Sequence, residues 1–127
     1  MEFGKAKRIF VVDDDPMIRT ALEDYLTRVV PHQVTCFNTG EDCLNHLADG
    51  VDIIVLDYQL NSVQKDAADG LEILETIKKY YPHVHVIMLS SQEKYSTAMQ
   101  TIKKGAEQYV IKDKMAFENV ANIIKEL

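Results

Sequence analysis

The sequence predicts an α/β domain: a five-stranded parallel sheet with helices on both faces. Three observations carry this. Five short apolar runs alternate with helical patterns from end to end. The runs are continuous and rich in β-branched residues, as strands buried on both faces require. The chain has 127 residues, 46% of them hydrophobic, which suits one domain with a proper core.

The elements follow in order. Ile9-Phe10-Val11-Val12 is the first strand. Asp15-Pro16 then supplies a helix cap and a proline at the first helical position. Ile18, Ala21, Leu22, Tyr25, Leu26 and Val29 recur at helical spacing up to Pro31. Gln33 to Phe37 reads as a second, shorter strand. Thr39 can cap a helix carrying Leu44, Leu47 and Ala48, with Gly50 at its end. Ile53-Ile54-Val55-Leu56 is the third strand, followed by a polar stretch from Gln59 to Ala68. Leu71, Leu74, Ile77 and Tyr81 mark a helix stopped by Pro82. Val84 to Leu89 is the fourth strand. A less apolar helix runs from about Glu93 to Lys104 and closes at Gly105. Tyr109-Val110-Ile111 is the fifth strand. Phe117, Val120, Ile124 and Leu127 stripe the last helix. Repeats, low-complexity tracts and linkers are absent.

The formal charge of −6 argues against direct contact with nucleic acid, which calls for a Lys/Arg footprint. Cys36 and Cys43 lack metal or redox spacing and read as reduced thiols. No apolar run approaches the roughly 20 residues of a membrane helix, and the first residues lack a signal peptide's apolar segment. A cytoplasmic protein is expected.

In parallel sheets of this kind ligands bind beyond the carboxyl ends of the strands. The polar residues there are Asp13-Asp14-Asp15, Asp57, Ser90-Ser91 and Lys112. Clustered carboxylates resist joint ionisation, and a hard divalent cation such as Mg²⁺ relieves that conflict. A carboxylate can also attack phosphorus, giving an aspartyl phosphate. Lys112 and a metal supply positive charge for the transferring group, and Ser90 a hydrogen-bond donor.

At this point the sequence resembles the receiver domains of response regulators in two-component signalling. The match runs through Val11-Val12-Asp13-Asp14-Asp15-Pro16, Ile54-Val55-Leu56-Asp57, Asp69-Gly70-Leu71, Met88-Leu89-Ser90-Ser91, Gly105-Ala106 and Tyr109-Val110-Ile111-Lys112. It covers residues 7–127. The resemblance implies a flavodoxin-like, doubly wound (βα)5 fold with strand order 2-1-3-4-5, for which a chemotaxis regulator of this family is a standard example. It implies that Asp57 is the phosphoacceptor. Asp13, Asp14, Asp57 and the backbone carbonyl of Gln59 would hold Mg²⁺, Asp14 directly and Asp13 partly through water. Lys112 and Ser90 would contact the phosphoryl group, and Ser90 and Tyr109 would form the switch. The donor would be a sensor histidine kinase or a phosphotransfer protein. The output face would be the fourth helix, fifth strand and fifth helix, meeting a second copy, an attached output domain or another partner. Such a domain is a signalling phosphoacceptor that catalyses only its own phosphorylation and slow dephosphorylation.

Three departures from the family pattern stand out. Asn61 replaces a proline that often lies four residues after the acceptor. The stretch from Asp57 to Asp69 is about five residues longer than usual for the resemblance, so residues 61–68 should protrude beside the site. Asp113 replaces a proline after Lys112, so that peptide bond should be trans, with Asp113 at or beside the cap of the last helix.

Plainer readings hold for other residues. Asp15 is a helix cap. His83 and His85 are polar residues entering the fourth strand. Met88, Met99 and Met115 fill the core. Tyr80-Tyr81 end a helix and partly cover the core. Tyr109 can equally be a packing residue. Three rival functions remain. A haloacid-dehalogenase-type phosphohydrolase would use Asp13 as nucleophile, but Pro16-Met17 stand where a glycine-containing turn is usual. A flavodoxin-like cofactor binder needs a Ser/Thr/Gly-rich phosphate loop, and aspartates occupy that place. A degenerate receiver would have lost reactive positions, and here all are filled.

Overall fold

The computed structural model describes residues 6–61 and 64–127. Five strands form one parallel sheet in the order β2-β1-β3-β4-β5. They are β1 (Arg8–Val12), β2 (Gln33–Phe37), β3 (Ile53–Asp57), β4 (His85–Ser90) and β5 (Gln108–Ile111). The helices between and after them are α1 (Pro16–Val29), α2 (Gly40–Leu44), α3 (Gly70–Tyr80), α4 (Tyr95–Lys103) and α5 (Ala116–Glu126). The expected fold class and strand order are both present.

Side chains of a strand alternate between faces, and the core divides accordingly. Phe10, Val12, Ile54, Leu56, Val86 and Met88 pack towards Ile73, Leu74 and Ile77 of α3. Ile9, Val11, Ile53, Val55, Ile87 and Leu89 pack on the other face with Leu22 and Leu26 of α1 and Val120 and Ile124 of α5. Helices α1, α3 and α5 thus each bury an apolar stripe against the sheet, which is what holds a doubly wound sheet together.

Register fixes the site's floor. Val12 pairs with Leu56, Asp57 with Leu89, and Ser90 with Ile111. Asp13, Asp57, Ser90 and Lys112 therefore lie at one rim of the sheet. The order of strands reverses at β1, and the crevice opens there.

Several expectations need correction. The second helix stops at Leu44, and a separate 3-10 turn spans Leu47–Asp49. A ring nitrogen of His46 lies 2.9 Å from the Asp42 carbonyl, and the His46 N–H donates to Cys43 instead. The side chain occupies the acceptor that would have continued the helix. Helix α4 starts at Tyr95, without a side-chain cap, rather than near Glu93. Met88 is buried, but Met99 and Met115 are 48% and 43% exposed, so they do not fill the core. Tyr80 is exposed, and only Tyr81 packs against the core. The Lys112–Asp113 bond is trans, since no cis bond occurs among the described residues. Asp113 accepts the Met115 N–H at 2.9 Å, while the helix cap falls at Met115 itself. In the long loop, Ser62 and Val63 lie outside the described residues; Gln64 to Ala68 form a turn, with the Ala67 N–H donating to the Gln64 carbonyl.

Candidate functional site

Strand β1 ends where its last apolar pair is buried, and the next residues turn towards the rim. Asp13 is 1% exposed, and its Oδ1 accepts the Asp15 N–H at 2.9 Å. Asp15 in turn caps α1 by accepting the Met17 N–H, as the Asp-Pro pair predicts. Arg19, on the first turns of α1, donates to the Asp13 carbonyl at 2.7 Å and pins this corner.

Asp57 closes β3 and is 4% exposed. Its Oδ1 lies 3.0 Å from Lys112 Nζ and accepts the Gln59 N–H at 3.3 Å. The same ammonium stands 3.2 Å from Asp13 Oδ2. That contact is a charge attraction without hydrogen-bond alignment, because Asp13 Oδ2 is buried and has no hydrogen-bond partner among the described residues. Asp13, Asp14 and Asp57 each present an oxygen, and these oxygens lie within 4.8 Å of one another.

The electrostatics follow from this crowding. Burial, with the Asp13 charge second, pushes the Asp57 carboxyl up to about 7, against the opposing pull of Lys112 and the Gln59 N–H. Burial works against the Lys112 charge, but Asp57 and Asp13 together outweigh it and hold the ammonium above its ordinary value. Negative charge is thus concentrated around one ammonium in a half-desolvated place.

A cavity of about 290 Å³ opens over this floor, bordered by Asp14, Asp57, Gln59, Ser90, Gln92 and Lys112. Its donor set fits Mg²⁺. Carboxylate oxygens converge, one of them is buried without a hydrogen bond, and space remains for water and phosphate oxygens.

Comparison with known proteins agrees with this geometry. Residues 9–125 match the family model described as the response regulator receiver domain. The chain belongs to the response regulator receiver family. It is 34% identical over 108 residues to the DNA-binding transcriptional regulator NtrC of Azospirillum brasilense, covering 84% of this chain and 21% of that protein. It is 33% identical over 105 residues to the transcriptional regulatory protein AfsQ1 of Streptomyces coelicolor, covering 82% and 44%. The chain thus spans about a fifth of the first of these relatives and under half of the second. Among solved structures, the BeF3-activated DrrB receiver domain superposes with a TM-score of 0.82 at 30% identity, covering 96% of this chain and 97% of that one. The receiver domain of NtrX from Brucella abortus gives 0.79 at 28% identity, covering 93% and 94%.

Receiver domains of this family are signalling modules of two-component systems, and this one keeps the acidic pocket compatible with Mg²⁺ and phosphorylation. No helix among the described residues is long and apolar enough to cross a membrane. The residues singled out in the sequence mostly meet here: Asp13, Asp14, Asp57, Gln59, Ser90 and Lys112 border or floor one cavity. Tyr109 stands apart on β5. Its hydroxyl donates to the Gln92 carbonyl at 2.8 Å, and its ring packs against the α2/α3-side core. His85 faces Glu107 at 2.5 Å on the opposite rim, and the histidines join no three-residue metal cluster among the described residues.

Sequence reasoning missed two participants. Gln92 donates its N–H to Ser90 Oγ at 3.0 Å, accepts from Tyr109, and receives the Thr97 hydroxyl of α4 at 3.4 Å. A glutamine two residues past a strand has no pattern that announces this. Gly70 is the second. A Cβ there would lie 2.3 Å from the Asp57 carbonyl oxygen, and its N–H donates to the Tyr58 carbonyl. The Asp69-Gly70 pair carried that signal: a helix cap followed by a residue without a side chain allows the helix start to press on a strand end.

Proposed function

We propose that this receiver domain, residues 7–127, accepts a phosphoryl group on Asp57 from the phosphohistidine of a sensor histidine kinase or phosphotransfer protein. The observation that carries the reading is the placing of Asp57: buried at the cavity floor, 3.0 Å from Lys112, with Asp13 and Asp14 beside it.

In the transfer, an Asp57 carboxylate oxygen forms the new O–P bond as the N–P bond of the donor breaks. The histidine nitrogen keeps that electron pair. Lys112 carries a fixed positive charge next to the attacking oxygen and can pair with the phosphoryl oxygens. The Ser90 hydroxyl accepts the Gln92 N–H, which leaves its own proton available for donation. Asp13, Asp14, Asp57 and the Gln59 carbonyl would hold Mg²⁺, which when bound neutralises the phosphoryl oxygens. The resting ammonium also tempers the repulsion of Asp13 and Asp57, so the acceptor can be ionised near neutral pH.

The output reading rests on Ser90, Gln92 and Tyr109. Movement of Ser90 towards the phosphoryl group would disturb the Gln92 turn, and with it the bonds to Tyr109 and Thr97. Helix α4 lies at the other end of those bonds. It has little buried surface, and its Tyr95, Met99 and Ile102 form an exposed apolar stripe. A partner, a second copy or an attached output domain would bind this α4-β5-α5 face. The protein acts in the cytoplasm, without direct contact with nucleic acid or membrane.

The test is to incubate the domain with a small phosphodonor and Mg²⁺ and measure the intact mass. One phosphoryl group should be gained, and it should be lost with Asp57→Asn or with chelation of the metal. An Asp57→Asn protein phosphorylated at the wild-type rate would refute the assignment.

A further inference from the structure

The end of the lengthened loop after β3, Gln64 to Ala68, lies beside the first turn of α2. Leu60 anchors its beginning, with no exposed surface. A Glu41 carboxylate oxygen of α2 accepts the Ala68 N–H at 2.9 Å and anchors its end. Between these anchors Gln64 reaches a small cavity of about 20 Å³, which it shares with Asp14, Asn38, Thr39 and Leu60. That volume holds one water molecule. Asp14 therefore stands between two spaces. It borders the large cavity over Asp57 on one side and, with Asn38, Thr39, Leu60 and Gln64, this small cavity of mixed lining on the other.

The chemistry of the small cavity is specific. An ionised carboxylate only accepts hydrogen bonds, while the carboxamides of Gln64 and Asn38 offer both donors and acceptors. One water there can donate to Asp14 and accept from a carboxamide. Outer partners of this kind fix how a metal-binding carboxylate is aimed. Mg²⁺ is the cation most sensitive to that aim, because it demands near-octahedral geometry, whereas Ca²⁺ tolerates a looser set.

We propose that Gln64, with Asn38, is a positioning residue for Asp14, so that the inserted loop sets the affinity and selectivity of this receiver for Mg²⁺. The proposal rests on the Mg²⁺ site inferred above. Gln64 comes from the added loop, so this support belongs to the loop's presence in the chain rather than to the strand ends that build the rest of the site.

The experiment is a calorimetric titration of Mg²⁺ and Ca²⁺ into the whole chain, its Gln64→Met and Asn38→Leu variants, and a Lys65→Ala control. Chemical shifts of the Asp14 amide and urea midpoints are recorded in parallel. Methionine keeps the length of glutamine and removes its polar atoms. Gln64→Met should weaken Mg²⁺ binding about tenfold and Ca²⁺ binding much less, with the metal-free urea midpoint unchanged. Lys65→Ala should bind as wild type. A Gln64→Met affinity within about twofold of wild type, or an equal loss for both cations, would overturn the positioning role while leaving the metal site standing. A wild-type chain that binds no Mg²⁺ would overturn both.

Discussion

Replacing Asp57 with asparagine should stabilise the metal-free domain, and the gain should grow with pH. Asp57 has its carboxyl raised from 3.8 to about 7, first by burial and then by Asp13. Between those two values the folded state holds a proton that the unfolded chain has released. Stability therefore falls as pH rises through that window and is flat below it and above it. The full penalty on the wild type is at most about 4 kcal/mol, reached above about pH 7. An asparagine side chain at this position has no proton to lose and escapes it. Urea denaturation of wild type and Asp57→Asn, with chelator present, should give nearly equal stabilities at about pH 4. By about pH 8 the variant should lead by about 2–4 kcal/mol. Adding Mg²⁺ should shrink that lead, because a cation bound only to the folded acids stabilises the wild type. A lead that is the same at both pH values, or a wild type that is the more stable at the higher pH, would refute the claim that burial, with Asp13 beside it, raises the Asp57 carboxyl.

Three further outcomes follow from other parts of the molecule. Gly70→Ala should cost about 1–3 kcal/mol in denaturant and slow the proposed phosphorylation, because its Cβ would meet the Asp57 carbonyl oxygen at 2.3 Å and displace the backbone of Asp57. Tyr109→Phe should cost about 0.5–1.5 kcal/mol and speed hydrogen exchange of residues 91–94, through loss of the bond to Gln92; unchanged exchange there would detach Tyr109 from the loop. The Cys36 thiol is pushed up to about 12 by burial and then by Glu23, and the Cys43 thiol to about 12 by burial, so a thiol reagent at about pH 8 should label neither quickly in the folded protein. Rapid stoichiometric labelling of Cys43 would contradict its packing.

The legible part of the fold was the part governed by periodicity and by strong punctuation. Ile9 to Val12 and Ile53 to Leu56 read as strands because both faces of a parallel sheet are buried, and Asp15-Pro16 marked a helix start. Acids at the ends of two strands and a lysine at the end of a third then defined the site, given that such sheets bind ligands at that rim. What stayed hidden depended on single long-range contacts or on local bonds without a pattern. The break after Leu44 coincides with a His46 ring contact to the Asp42 carbonyl, which no hydrophobic count detects. Met99 and Met115 match a core stripe by residue type, but the face each turns outward is set by how α4 and α5 sit on the sheet. Gln92 works mainly through its backbone, and backbone roles leave little mark on residue type.

The ion pairs of Lys112 with Asp13 and Asp57 bear on how the chain comes into being. The three residues sit near the beginning, the middle and the end of the sequence, and loop closure over such spans makes native pairing slow. On a chain growing from its amino end, the acids emerge long before their ammonium. Docking β1 beside β3 at neutral pH then drives negative charge into a closing interior with no counterion of its own. Arrival of β5 brings the missing cation and makes that arrangement tolerable. A copy in which β5 has not docked lacks the Lys112 charge beside Asp13 and Asp57. The charge balance of the acidic cluster thus depends on β5 having joined the sheet.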